Sequence, residues 1–110
     1  MDKRFDVILL EEALLFLKSL EPKHYEKIIY NIRKAQIKND SEIFKKLTED
    51  IWGFRTLYQG LQYRFLAFWD KTSAENILVI STHGFIKKQS KVPKKEIEKA
   101  IQARNNYFEK

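Results

Sequence analysis

Arg64 is the first residue whose surroundings ask for chemistry. In the run "QYRFLAFWD" (62–70), two-residue alternation puts Tyr63, Phe65, Ala67 and Trp69 on one side of a strand and Arg64, Leu66 and Phe68 on the other. A guanidinium among apolar neighbours is costly unless its fork is paired. Two kinds of partner meet that need: a carboxylate of the chain, such as Asp50 or Glu49, or the phosphate of a ligand. Arg55 stands on the preceding strand with Ile51, Gly53 and Leu57 on its side. If hairpin register brings it beside Arg64, two planar forks suit a phosphodiester. The alternative is an ordinary surface arginine.

A second cluster follows the apolar run "NILVI". The stretch "STHGFIKKQSKVPKK" (81–95) carries five lysines within nine residues: Lys87, Lys88, Lys91, Lys94 and Lys95. Mutual repulsion disfavours such crowding unless an anion is meant to sit there. Lys94 and Lys95 also fall in the first turn of an expected helix, where the macrodipole is already positive. A solvated charge run is the plain alternative. The run leaves a core strand, however, which puts Lys87 and Lys88 at the sheet edge with Lys91 and Lys94 nearby. His83, at that strand's end, has a proton affinity suited to acid–base work or to contact with an anion; a loop hydrogen bond is its simpler role.

Other chemistry is missing from the sequence. There is no metal-spaced carboxylate cluster, glycine-rich phosphate loop or nucleophile elbow, so no metal or cofactor is expected. With no cysteine there is no disulfide, zinc–thiolate site or thiol nucleophile. Phosphodiester chemistry on RNA remains open without a metal, because the 2′-hydroxyl is its own nucleophile. A protein need only align it, move protons and stabilise extra negative charge. A lysine crowded by cations has a lowered pKa and can take part in proton transfer.

These residues need a scaffold. Residues 4–10 read as a strand. Ala13, Phe16, Leu17 and Leu20 recur at helical spacing, and Pro22 opens a second helix whose stripe is Tyr25, Ile28, Ile29, Ile32 and Ala35. Asp40 or Ser41 is expected to cap a short helical turn through Leu47. Three strands come next, at 51–58, 62–70 and 76–83, joined by short links that force antiparallel neighbours. A helix from about Pro93 closes the chain. The expected fold is α+β: a small antiparallel sheet in the order β-α-α-β-β-β-α with helices packed on it, one domain over residues 1–110.

The 110 residues carry a formal net charge of +6, with hydrophobic residues at 44%. That suffices for one core and gives the molecule an attraction for polyanions, nucleic acid foremost. Glu11 and Glu12 interrupt the N-terminal apolar run well short of a membrane span. A cytoplasmic protein without a membrane partner is expected.

Three segments, "LTEDIWGFR" (47–55), "YRFLAFW" (63–69) and "HGFIKKQSKVPKKEIEKA" (83–100), resemble the RelE/ParE toxin superfamily, and within it the HigB-type, phage-derived toxins of type II toxin–antitoxin systems. The resemblance implies a RelE-like fold and a metal-independent endoribonuclease that cuts mRNA, commonly on the ribosome. It also implies silencing by a cognate helix-turn-helix antitoxin in a hetero-oligomer. By position it implies catalytic roles for Arg64, Lys87, Lys88 and Arg55; Lys91, Lys94 and His83, from the charge run and strand end described above, are expected as nucleic-acid contacts. A tyrosine near the chain end acts in some relatives, but Tyr107 sits late in a helix and does not inherit that role. Two other readings stay open: a ParE-like toxin that binds gyrase without catalysis, and an RNA- or ribosome-binding module that stacks bases without cutting.

Overall fold

The computed structural model describes residues 2–109. Five strands and three helices succeed one another as β1 (Asp6–Leu9), α1 (Glu11–Lys18), α2 (Pro22–Ile37), β2 (Phe44–Lys46), β3 (Trp52–Tyr58), β4 (Leu61–Asp70), β5 (Leu78–Ile86) and α3 (Lys94–Phe108). They form a small α+β fold around one mixed sheet of order β1-β5-β4-β3-β2. No helix is long and apolar enough to cross a membrane among the described residues.

The α+β class and the β3–β4–β5 meander are as the sequence leads one to expect. Two features correct the expected order. The helical turn expected before Leu47 is a turn followed by a strand. Asp40 takes the backbone N–H of Glu42 on its side chain (2.9 Å) and those of Ile43 and Phe44 on its carbonyl. Phe44 to Lys46 then pair antiparallel with Trp52 to Phe54. Second, the sheet is not wholly antiparallel. β1 pairs in parallel with β5, Val7 opposite Val79. The whole chain between them crosses over, so no short link forces reversal.

The hairpin from β3 to β4 turns on Gln59 and Gly60, both with positive φ (49° and 78°). A two-residue turn of that kind matches the right-handed twist of its strands. His24 anchors it: one ring nitrogen bonds the Tyr63 hydroxyl (2.8 Å) and the other the Gln59 amide oxygen (3.0 Å). By the apolar stripe of α2, His24 reads as a surface residue, yet it is buried against the sheet.

Alternation along β4 divides the core in two. Tyr63, Phe65 and Ala67 join Phe5, Leu17, Ile28 and Phe54 beneath α1 and α2. Leu66 and Phe68 join Ile51, Ile80 and Ala100 beneath α3. The second cluster covers only part of its sheet face. Toward the hairpin end that face carries Arg55 and Arg64 side by side, with the exposed Leu57 beyond them.

A bulge sets the facing of the last residues of β5. Leu66 pairs with His83 but Ala67 pairs with Ser81, so Thr82 is the extra residue. An inserted residue flips every later side chain to the other face. His83 and Phe85 therefore point to the α3 side and Gly84 to the α1 side. There a Cβ on Gly84 would lie 2.6 Å from Phe65 and 2.7 Å from Phe16, so only glycine lets α1 pack this close.

Candidate functional site

Three strands and the residue that follows a fourth each deliver one cation to the open half of the α3 face. On β3 and β4, Arg55 and Arg64 are direct cross-strand partners. On β2, Lys45 pairs with Gly53, two positions from Arg55 and thus on the same face. Past the end of β5 the ladder continues, the Lys87 N–H donating to the Gln62 carbonyl at 2.7 Å, which places Lys87 opposite Gln62 and beside Arg64. These four residues, with Lys46 and Lys91, line a cleft of about 340 Å³ closed by Leu47, Val92 and Ile97. Among the described residues no carboxylate lines it.

Like charges directly opposite on a sheet are unfavourable, and a buried one more so. Arg64 is only 4% exposed. It has no acidic partner within ion-pair distance among the described residues. The Asp50 expected as one candidate is engaged by Arg104 at 3.8 Å. Arg64 donates instead to the Tyr63 carbonyl (3.0 Å) and the Gln62 amide oxygen (3.2 Å). Two N–H groups are spent on orienting the fork, and a guanidinium has five. Burial, and then Arg55, hold its pKa below the ordinary arginine value. The Lys87 pKa is likewise lowered, first by burial and then by Arg64, Arg55 and Lys45. Its ammonium is parked on the Ser90 carbonyl at 3.2 Å. The cleft is therefore a set of oriented cations whose charge is not answered from within the described chain. It can bind an anion, stabilise charge that builds on it, and give up a proton from Lys87.

The other residues singled out in the sequence lie elsewhere. Lys88 is exposed and lines a separate shallow hollow beside Gly60 and Leu61. Lys94 is exposed in the first turn of α3 and does not line the cleft. His83 is 2% exposed under α3, one ring nitrogen bonded to Glu96 (3.0 Å) and the other to the Thr82 hydroxyl (2.9 Å). Tyr107 donates its hydroxyl to Asp70 at 2.7 Å and packs edge-on against Phe68, fastening the end of α3 to β4.

Lys45 and Lys46 join the cleft without any sequence signal having marked them. A three-residue strand is too short to display alternation, and the preceding "KNDSE" reads as turn and helix cap. The pairing of Lys45 with the small Gly53, whose neighbour on that face is Leu47, would have been the available hint.

No curated protein matches this sequence. A family model does, that of the phage derived protein Gp49-like (DUF891), over residues 15–105. That span includes every residue of the cleft and all of the sheet except β1, and the chain belongs to this Gp49-like, phage-derived family.

Proposed function

We propose that this protein is the toxin of a type II toxin–antitoxin system, RelE- and HigB-like in fold, and a metal-independent endoribonuclease acting on mRNA held by the ribosome. Family membership is compatible with a toxin role. The observation that carries the rest is the cleft in which Lys45, Arg55, Arg64 and Lys87 converge from three strands and the end of a fourth, with no carboxylate of the described residues lining it.

In this reading the Arg55–Arg64 pair grips the scissile phosphate. The RNA 2′-hydroxyl attacks phosphorus as its proton passes to solvent water, the P–O5′ bond breaks, and a 2′,3′-cyclic phosphate remains. The two forks match the added negative charge of the transition state, a kind of stabilisation worth roughly 10²–10³ in rate per donor. Burial and the neighbouring cations lower the Lys87 pKa, and Lys87 is assigned to protonating the departing 5′ oxygen. Lys88 is left as peripheral attraction for the RNA backbone, Lys91 as a contact at the cleft's lip, and Lys94, outside the cleft, is left without a phosphate contact. The partner that silences such a toxin is a cognate antitoxin, expected to be of helix-turn-helix type.

The test is induction of the protein in cells with primer extension on total mRNA. Wild-type protein is expected to arrest growth and leave discrete new 5′ ends. Arg64→Ala is expected to lose both while keeping its circular dichroism and melting temperature. Full toxicity in a folded Arg64→Ala protein overturns the assignment. DNA damage with intact transcripts would point instead to a ParE-like toxin that binds gyrase.

A further inference from the structure

The cleft has a larger neighbour. A hollow of about 790 Å³ opens where β3 begins and β4 ends, beside the last turns of α3. Lys46 lines both the cleft and this hollow, so the two adjoin at that side chain. Its walls are aromatic: Trp52, Trp69 and Phe108. The two indoles meet edge to face at 5.6 Å and 77°. The Lys71 ammonium lies 5.0 Å from the centre of the Trp69 ring, a cation resting on a π-face. The buried Trp69 indole N–H has no acceptor among the described residues.

Charge in the hollow is mixed but favours anions. Lys46, Lys71 and Arg104 face Glu49 and Asp50, and Asp50 is already engaged by Arg104. The wall is held stiffly. Asp70 accepts the Tyr107 hydroxyl (2.7 Å), the Thr72 hydroxyl (2.7 Å) and the Thr72 backbone N–H (3.0 Å), which fixes the turn after β4 against α3. These bonds hold the Asp70 carboxyl below its ordinary pKa, so it stays a firm acceptor.

We propose that this hollow is a nucleobase subsite: single-stranded RNA with a phosphate in the cleft passes Lys46 and sets a flanking base against Trp52 and Trp69. The proposal rests on the RNA reading of the cleft. Stacking on an indole suits any base, and Lys71, displaced from the ring by the base, is free to meet the next phosphate. Continuity with the cleft through Lys46 favours RNA over a peptide as the occupant.

Trp52 and Trp69 are the only two tryptophans in the chain, so all indole fluorescence reports on this hollow. The probe is a ten-nucleotide 2′-O-methyl RNA, which lacks the attacking hydroxyl, compared with an abasic oligonucleotide of equal length. Both are followed by anisotropy and by tryptophan emission. The decamer is expected to quench the indoles and bind about fivefold more tightly than the abasic strand, the fold-change that ~1 kcal/mol of stacking gives. Lys46→Ala is expected to weaken the decamer more than a dinucleotide. Decamer binding with unmoved emission overturns the subsite and leaves the cleft reading standing. Equal quenching by the abasic strand also overturns it, since charge alone would then move the signal. Failure of both strands to bind removes the cleft reading and this one with it. Emission that responds to the protein encoded by the adjacent reading frame, and not to RNA, would assign the hollow to protein docking and overturn the proposal.

Discussion

At the scale of the residue, Arg64 was legible because a strand alternates and a guanidinium does not belong among leucine and phenylalanine. What alternation leaves open is the partner, and among the described residues Arg64 meets no carboxylate within ion-pair distance but a second arginine across the ladder. His83 was legible as a group able to titrate, yet its burial was not, because that depends on α3 folding over it. Its neutral ring donates from Nε2 to Glu96 and accepts the Thr82 hydroxyl at Nδ1. Burial lowers its pKa, opposed by Glu96 and Glu12 and abetted by Lys99. The unfolded histidine titrates near 6.5, above the folded one. Between those values the unfolded chain binds more protons, so stability is full above about pH 6.5 and declines as pH falls toward the folded pKa. Urea midpoints measured from about pH 8 to about pH 5.5 are expected to fall with acidification in the wild type and stay flatter in His83→Gln. Equal slopes in the two proteins would show that His83 is not the group responsible.

At the scale of the element, the bulge at Thr82 decides the site. Ile80 faces α3, and strict alternation from it would send Lys88 to the cleft face and Lys87 to the other. The inserted residue reverses that order, so Lys87 enters the cleft and Lys88 does not. The apolar run "NILVISTHGFI" shows a strand but not a bulge, since Ser, Thr, His and Gly in a row give no apolar–polar alternation from which a change of face could be read. For the same reason the sequence ends the strand near His83 while β5 continues to Ile86. Short β2 has no alternation to read, and the parallel pairing of β1 depends on a contact with a strand at the far end of the chain. If Lys87 transfers the proton, Lys87→Ala is expected to slow RNA cleavage by about 10²-fold or more, within the range for loss of a general acid. Lys88→Ala, at an exposed position outside the cleft, is expected to change it by less than about threefold. Equal losses in single-turnover assays would mean that the two lysines act only through their summed charge.

For the molecule as a whole, a net charge of +6 is a weak statement until its distribution is known. Much of it lies outside the cleft: Lys94 and Lys95 are exposed on α3, and Lys99 is tied to Glu12 of α1. Near the cleft no carboxylate of the described residues answers Lys45, Arg55, Arg64 and Lys87. Cations that displace counterions from phosphates give a linear dependence of log affinity on log salt, with a slope of about −0.7 per phosphate for single strands. If about four phosphates are met by the cleft, the slope for single-stranded RNA is expected at about −3. Lys45→Gln, removing one contact, is expected to reduce it by about 0.7. Lys94→Gln, removing the same charge from a solvated helix turn outside the cleft, is expected to leave the slope unchanged, because a charge that meets no phosphate releases no counterion from one. The comparison separates a built site from a diffuse positive surface: identical net charge in the two variants, one slope altered and the other not. Should both substitutions shift the slope alike, the sheet-face cations would hold no special place, and the attraction would belong to the whole basic surface.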